Sequence, residues 1–406
     1  MQRLRTTCCI AGGGPAGVMA GYLLARAGVE TLVLEKHADF LRDFRGDTVH
    51  PSTLEVIAEL GLLEEFLRLP HQEVRLLRGQ IGNRLLTIGD FTHLGTRCKF
   101  VALMPQWHFL SFLAEQGAGL PAFKLRMRTQ VTDVIETEGR TSGVRAEGPD
   151  GPLEVEADLV IAADGRHSTV RARAHLEVQD MGSPIDVLWL RLSRKPDDSL
   201  QTLGYFNHGR VIVTLDRGDY WQCAFVIRKG ELQDLQLRGI ESLRAQIARI
   251  VPKFQDRVAE LRSWEDVKLL TVRVDRLRQW WKPGLLCIGD AAHAMSPIGG
   301  VGINLAIQDA VAAANLLAVP LHEKRVTPEH LAAVQRRRTF PTHFTQSLQI
   351  LIHERVINRV LASDESVDPP WQVRLFDRVP ALRRIPARVV GVGVRPEHVR
   401  AGPGAS

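Results

Sequence analysis

Three scarcities narrow the field before any motif is considered. Cysteine is sparse and odd in number: Cys8, Cys9, Cys98, Cys223 and Cys287 are five in 406 residues, lack metal-ligand spacing, and mostly sit inside apolar runs. That excludes a disulfide-stapled scaffold and a zinc ribbon, and fits buried free thiols in a reducing compartment. Uninterrupted apolar sequence is also scarce, since no window supplies the roughly 18 residues of a spanning helix. Arg3 and Arg5 followed by small apolar residues to Leu24 imitate a secretory signal, but glycines at 12–14 and 17 would break its helix. The expectation is a cytoplasmic protein with no stable membrane insertion. Internal repeats and low-complexity tracts are absent as well, so the chain is neither a solenoid nor fibrous. A formal charge of +6 is spread along the chain without interleaved aromatics, which argues against nucleic acid and for anionic small ligands.

What is present is alternation of element types. Residues 7–11 read as a strand, 15–27 as a helix closed by Gly28, and 30–35 as a second strand, which together make a βαβ unit. A charged loop over 42–51 leads to a helix at 52–60, short strands occupy 76–88, and Pro105 opens a helix to 115. Residues 124–163 read as a meander of short strands. Strands at 187–192, 210–215, 220–227 and 267–274, with a helix at 240–250, predict an antiparallel sheet inserted in the chain. A buried strand follows at 285–288 and a helix at 302–317. The tail is helical from Thr327, an N-cap ahead of Pro328.

Three motifs carry the chemistry. In Gly12-Gly13-Gly14-Pro15-Ala16-Gly17, Gly12 permits the tight turn, Gly14 lets backbone approach a pyrophosphate, and Gly17 allows close helix packing. Glu35 and the adjacent Lys36 end the next strand, where a carboxylate can accept from a ribose diol. This motif alone does not separate FAD from NAD. The second, Asp164-Gly165 after the strand ending at Ala163, offers a side chain and a close backbone to a ligand, with Ser168 as a helix cap. The third runs from Gly289-Asp290 to Pro297-Ile298-Gly299-Gly300-Val301-Gly302-Ile303-Asn304 and leads into a helix. Asp290 suits a ribityl chain. The amides of Gly302, Ile303 and Asn304 at a helix start would favour negative charge on a reduced flavin.

The three motifs, in this order and spacing, resemble those of the single-component FAD-dependent aromatic hydroxylases typified by para-hydroxybenzoate hydroxylase, over about residues 5–345. The resemblance implies an α/β fold: a Rossmann-like FAD-binding domain (1–75, 100–178, 275–330), an interleaved antiparallel-sheet substrate domain (76–99, 179–274), and a C-terminal helical segment (331–406). It implies an enzyme in which NADPH or NADH reduces FAD, O2 forms a peroxide at flavin C4a, and one oxygen passes to an aromatic or polycyclic small-molecule substrate. It further implies that Asp164 and Gly165 serve both FAD and the nicotinamide nucleotide, that Arg45 and Gln106 contact FAD, and that Pro297 lies over the reactive face. No catalytic base is identified, and no metal site.

Several features read more plainly. Alternation sets Trp221 apart from Tyr220 and Gln222, and either face of that strand is open to the substrate. His293 reads as a packed histidine, Arg336-Arg337-Arg338 as a solvated helix face, and Arg45-Gly46-Asp47 as a chance tripeptide. No thioredoxin-like domain is expected, and the basic, proline-broken stretch 373–394 suits short packing helices, with a peripheral membrane role as the alternative. The rivals are a reductase or halogenase of the same architecture, the latter without its WxWxIP signature here, and a flavin binder without turnover. Oligomeric state is open.

Overall fold

Along the first strand, Gln2–Ala11, Cys8 and Ile10 face one core while Cys9 and Ala11 face another. A strand buried on both faces belongs in the middle of a parallel sheet. The computed structural model describes residues 2–41, 48–198, 202–363 and 368–400. In it Gln2–Ala11 lies at the centre of a sheet whose order is Trp281–Lys282, Leu285–Cys287, Gly151–Ala162, Gln2–Ala11, Thr31–Leu34 and Phe123–Arg126. All but the first of these run parallel. Helices Pro15–Arg26, Gln106–Ala118 and Gly302–His322 pack on one face, and strands Gln130–Thr137 and Arg140–Gly148 fold over the other.

In the expected meander of short strands at 124–163 only Phe123–Arg126 is short; the three that follow are long. Gly151–Ala162 spans twelve residues and changes partner midway, pairing antiparallel with Arg140–Gly148 in its first half and parallel with Leu285–Cys287 in its second. Local turn signals show the hairpin but not the remote strand that takes over.

A second sheet has the order Lys268–Leu270, Ile185–Ser193, Tyr220–Arg228, Arg210–Asp216, Leu203–Asn207, Leu76–Ile81 and Arg84–Asp90. The hairpin at 76–90 therefore joins strands more than a hundred residues away, through a parallel contact with Leu203–Asn207. The strand expected over 267–274 stops at Leu270. Asp186 ends it, because its carboxylate takes the Val272 N–H at 2.9 Å along with Lys229 Nζ at 2.7 Å, drawing the chain off the ladder.

The tail is helical as expected: Thr327 caps the helix Pro328–Ile352, and shorter helices Trp371–Arg378 and Arg384–Gly391 follow. All five cysteines are free and buried. Among the described residues one helix, reaching to His322, is long and apolar enough to cross a membrane, and most of it is buried against the sheet.

Candidate active site

The three motifs occupy neighbouring strand ends. The turns after Gln2–Ala11, Gly151–Ala162 and Leu285–Cys287 open at the same edge of the parallel sheet, where α/β folds bind ligands. Their contacts are close. A side chain at Gly12, whose φ is +104°, would meet the Ala163 carbonyl at 2.4 Å; one at Gly17 would meet the Gly12 carbonyl at 1.9 Å. Gly289, with φ +57°, packs against Ala16 and Ala306. Arg166 of the second motif reaches Asp290 of the third at 3.5 Å, and Arg171 donates to the Ala291 carbonyl at 3.4 Å while pairing with buried Asp275.

Glu35 folds its carboxylate back onto the glycine turn, accepting from Gly13 N–H at 2.8 Å and His37 N–H at 3.0 Å. Lys36 beside it is exposed. Above Gly14, which precedes Pro15 at the helix start, and above Gly165 nothing lies within 4 Å of a side chain built there. Asp164 accepts from Val170 N–H through Oδ2 at 3.1 Å, yet its Oδ1 is buried without a hydrogen-bond partner. Burial pushes this carboxyl up, against the hydrogen bonds from Ser168 and Val170 that pull it down. An orphaned buried acceptor next in sequence to an open glycine turn is what a hydroxyl-bearing, pyrophosphate-containing ligand satisfies. The residues therefore fit FAD.

Pro297 begins the turn Ile298–Gly300, in which Gly299 and Gly300 have φ of +78° and +63°. A side chain at Gly300 would strike Thr48 Oγ1, which instead donates to the Gly300 carbonyl at 2.9 Å. Gly302 and Ile303 open the long helix. Asn304 is buried, and its Oδ1 accepts from His50 N–H at 3.0 Å and the Thr53 hydroxyl at 2.6 Å, so its side chain ties this loop to segment 48–53. Gln106 is half-buried at the start of its helix. Arg45, with the Arg45-Gly46-Asp47 tripeptide, lies outside the described residues.

Trp221 is not brought to the site. Fully buried, it sits under the helix Ile240–Ile250 with Cys223 and Phe225, donating its indole N–H to Asp198 at 2.7 Å. The opposite face looks inward, where Trp189, Ala224, Val213, Gly204 and Gly79 form one row across five strands. Tyr220 and Gln222 share that parity towards one end, with the Arg191 guanidinium over the Tyr220 ring and Arg217 donating to Gln222 at 3.2 Å. Phe206 covers the two glycines, and Ile298 of the third motif packs into the same apolar cluster as Trp189 and Val213. A cavity of about 80 Å3 lies beside Ile298, Gly299 and Val301, walled by Val390 and Val392 of the tail.

Sequence reasoning missed the groups beneath the third motif. His293 Nε2 meets Asp309 at 2.5 Å and Arg338 donates to the same carboxylate at 2.8 Å, all three being buried. Arg338 is thus no solvated arginine; Arg336 is exposed, whereas Arg337, exposed in part, pairs with buried Glu397 at 2.7 Å. Burial alone would raise the Asp309 carboxyl, but the His293 and Arg338 charges hold it below the usual range. The stripe continues through Thr342, Gln346, Gln349 and His353, all buried, while Phe340, Phe344 and Leu351 of the same helix stay exposed. Gln346 donates to the Asp275 and Ala294 carbonyls at 2.9 and 3.1 Å. Polar residues at helical spacing, with apolar ones out of phase, were the available signal.

His50 links the site to the tail, its Nδ1 lying 2.7 Å from the Val390 carbonyl. Burial pushes its imidazole down to about 4. A folded value below the unfolded one, roughly 6.5, means that the unfolded chain binds the extra proton. His50 therefore contributes stability above that pH, and the contribution is lost as pH falls towards 4, by about 3 kcal/mol at most. Urea unfolding at pH 7 and 4.5 should show a smaller acid loss for His50→Asn than for the natural chain. Buried His353, also lowered, contributes to both chains, so parallel losses would remove His50 from this role.

Comparison with known proteins follows the same lines. The family described as FAD binding domain matches residues 5–347. The chain is 33% identical over 394 residues to 6-methylpretetramide 4-monooxygenase of Streptomyces rimosus, covering 95% of this chain and 92% of that one. It spans only 59–63% of the length of several other relatives. PqsL of Pseudomonas aeruginosa has a similar structure, with TM-score 0.76 and 24% identity over 89% of this chain and 99% of that one. So does the myxobacterial chondrochloren halogenase CndH, with TM-score 0.76 and 18% identity over 95% and 92%. Fold alone therefore does not choose between hydroxylation and halogenation. The family match and the Streptomyces relative do: the chain belongs to the FAD-dependent aromatic hydroxylases and is a flavoprotein monooxygenase.

Proposed function

We propose that the chain hydroxylates a polycyclic aromatic substrate, consuming one NADPH or NADH and one O2 and releasing one water with the product. The supporting observation is the Trp189–Ala224–Val213 row, which shares one apolar cluster with Ile298 and runs on to the glycines under Phe206, an apolar floor between Trp189 and Phe206 suited to a flat ring system. A relative named for a pretetramide points the same way. When bound, FAD supplies the electron transfer and the oxygen activation.

The chain's own residues then have distinct tasks. The turn at Gly12 and Gly14 and the helix start at Pro15–Ala16 receive the pyrophosphate, with Gly17 keeping helix and turn in contact. Glu35 turns from the glycine amide to a ribose, and Asp164 and Asp290 accept from hydroxyls. Lys36, Arg45, Gln106 and Gly165 flank the nucleotide. Pro297, Gly300, Gly302, Ile303 and Asn304 border the ring, and the amides at the helix start favour negative charge there. The inner face of the sheet, closed by the tail at Val390 and Val392, excludes water from the reacting oxygen. Tyr220 and Gln222 lie towards the rim of this face, whereas Trp221 holds the sheet to its covering helix.

We further propose the division at 1–75, 100–178 and 275–330 for the cofactor, 76–99 and 179–274 for the substrate, and 331–406 as a closing segment. A cytoplasmic location fits five free thiols. The test is NADPH and NADH consumption by the purified yellow protein against phenols, hydroxybenzoates and polycyclic aromatics. Stimulation by the polycyclic class with a mass gain of one oxygen is expected; oxidation unaffected by every compound sinks the proposal.

A further inference from the structure

Pro297 has no N–H, so the loop that it occupies must be fixed through its neighbours. Gln349, on the helix Pro328–Ile352, does this from both sides. Its Oε1 accepts from Ser296 N–H at 3.1 Å, and its Nε2 donates to the Ser296 and Ile298 carbonyls at 2.9 and 3.0 Å. One helical turn on, His353 Nε2 lies 2.9 Å from Ser296 Oγ, which also accepts from Ile298 N–H at 3.3 Å. Ser296, Gln349 and His353 are all buried. The α-helix gives way at His353 to a π-helical turn, His353–Ile357, a rare geometry often kept at functional sites.

We propose that Gln349 and His353 are positioning residues that fix the Ser296–Ile298 loop against the flavin ring and set how tightly FAD is held. The proposal rests on the reading of residues 297–304 as the ring's border. Burial lowers the His353 pKa, so the ring is neutral, and in the tautomer protonated at Nδ1 its Nε2 accepts from the Ser296 hydroxyl. That orientation leaves the oxygen's lone pairs for Ile298 N–H, and the bonds run in one direction from Ile298 through Ser296 to His353. A glutamine side chain can place an acceptor where Nε2 lies; a leucine cannot. A glutamate at 349 would turn two donated bonds into carboxylate–carbonyl repulsion.

The test follows FAD release on dilution of purified holoenzyme by the rise of flavin fluorescence, together with the visible band of bound flavin and the melting temperature. Gln349→Glu and His353→Leu should each weaken FAD by about tenfold and alter the band, since a buried side-chain bond is lost or reversed. His353→Gln should behave like the natural chain, which a role in packing alone does not predict. Unchanged affinity and band shape in both Gln349→Glu and His353→Leu overturn the proposal. So does a lowered melting temperature with unchanged affinity. If the natural chain itself takes up no FAD, the reading of the site falls first, and that outcome is distinct from the others.

Discussion

Gly17→Val is expected to yield a chain that melts well below the natural one and takes up no FAD, while Gly14→Ala keeps its fold and loses only affinity for the cofactor. The two glycines stand three residues apart in one motif, but their surroundings are opposite. A side chain at Gly17 would start 1.9 Å from the Gly12 carbonyl and 3.3 Å from Ala163 Cβ, and the first of these is backbone that cannot swing aside. Accommodating it pushes the helix Pro15–Arg26 off the strand edge and opens the turn that presents Gly14. Overpacking of side chains costs about 1–3 kcal/mol, and a backbone collision exceeds that range. Gly14 has φ −75°, which any residue adopts, and open space above it. Alanine there costs the helix start under about 1 kcal/mol. Its methyl group would occupy the space proposed for the pyrophosphate. Thermal melts and flavin fluorescence titrations of both variants separate the effects; a Gly17→Val chain that binds FAD normally would disprove the motif's geometry.

The second large effect is at Arg338. Arg338→Met should destabilise the protein by about 3–5 kcal/mol, the cost of leaving a buried carboxylate without its partner. Asp309 is completely buried, and only His293 and Gly289 N–H, at 3.0 Å, would remain beside it. The pH dependence gives an independent reading. With its carboxyl depressed, Asp309 contributes stability above the ordinary carboxylate range, and that contribution is lost as pH falls through the folded value. Removing the arginine raises the folded value, so the acid-induced loss should begin at higher pH in the variant. Asp309→Asn together with Arg338→Met should cost less than the two changes summed, because each alone leaves its own buried partner uncompensated. Urea unfolding of the natural chain, the two single variants and the double variant decides it; a cost under about 1 kcal/mol for Arg338→Met would show that the pair holds nothing.

What was legible in the sequence were features with a local cause. Gly12 needs a positive φ, Pro15 starts a helix, and a carboxylate ends a strand at Glu35 and another turn at Asp290; each leaves its mark within a few residues. Alternation showed that Trp221 and Gln222 lie on opposite faces, but which face looks inward depends on Ile240–Ile250 covering one of them, a fact of tertiary packing. Arg338, Gln346, Gln349 and His353 were hidden because helix patterning assigns polar residues to water. Here the neighbouring surface is a glycine-rich loop whose carbonyls and amides have no strand to pair with, and it is the polar face that satisfies them. The strand at 267–274 failed for a related reason: Asp186, eighty-six residues before Val272, competes for its backbone.

The parallel sheet is completed out of sequence. Gly151–Ala162 gains its outer neighbour, Leu285–Cys287, only after the whole seven-stranded sheet has been read through, and the hairpin at 76–90 waits for Leu203–Asn207. During synthesis, an apolar strand edge and an unpaired hairpin are therefore exposed on the ribosome for more than a hundred residues of elongation, the interval in which a nascent chain most needs a chaperone and is most open to aggregation.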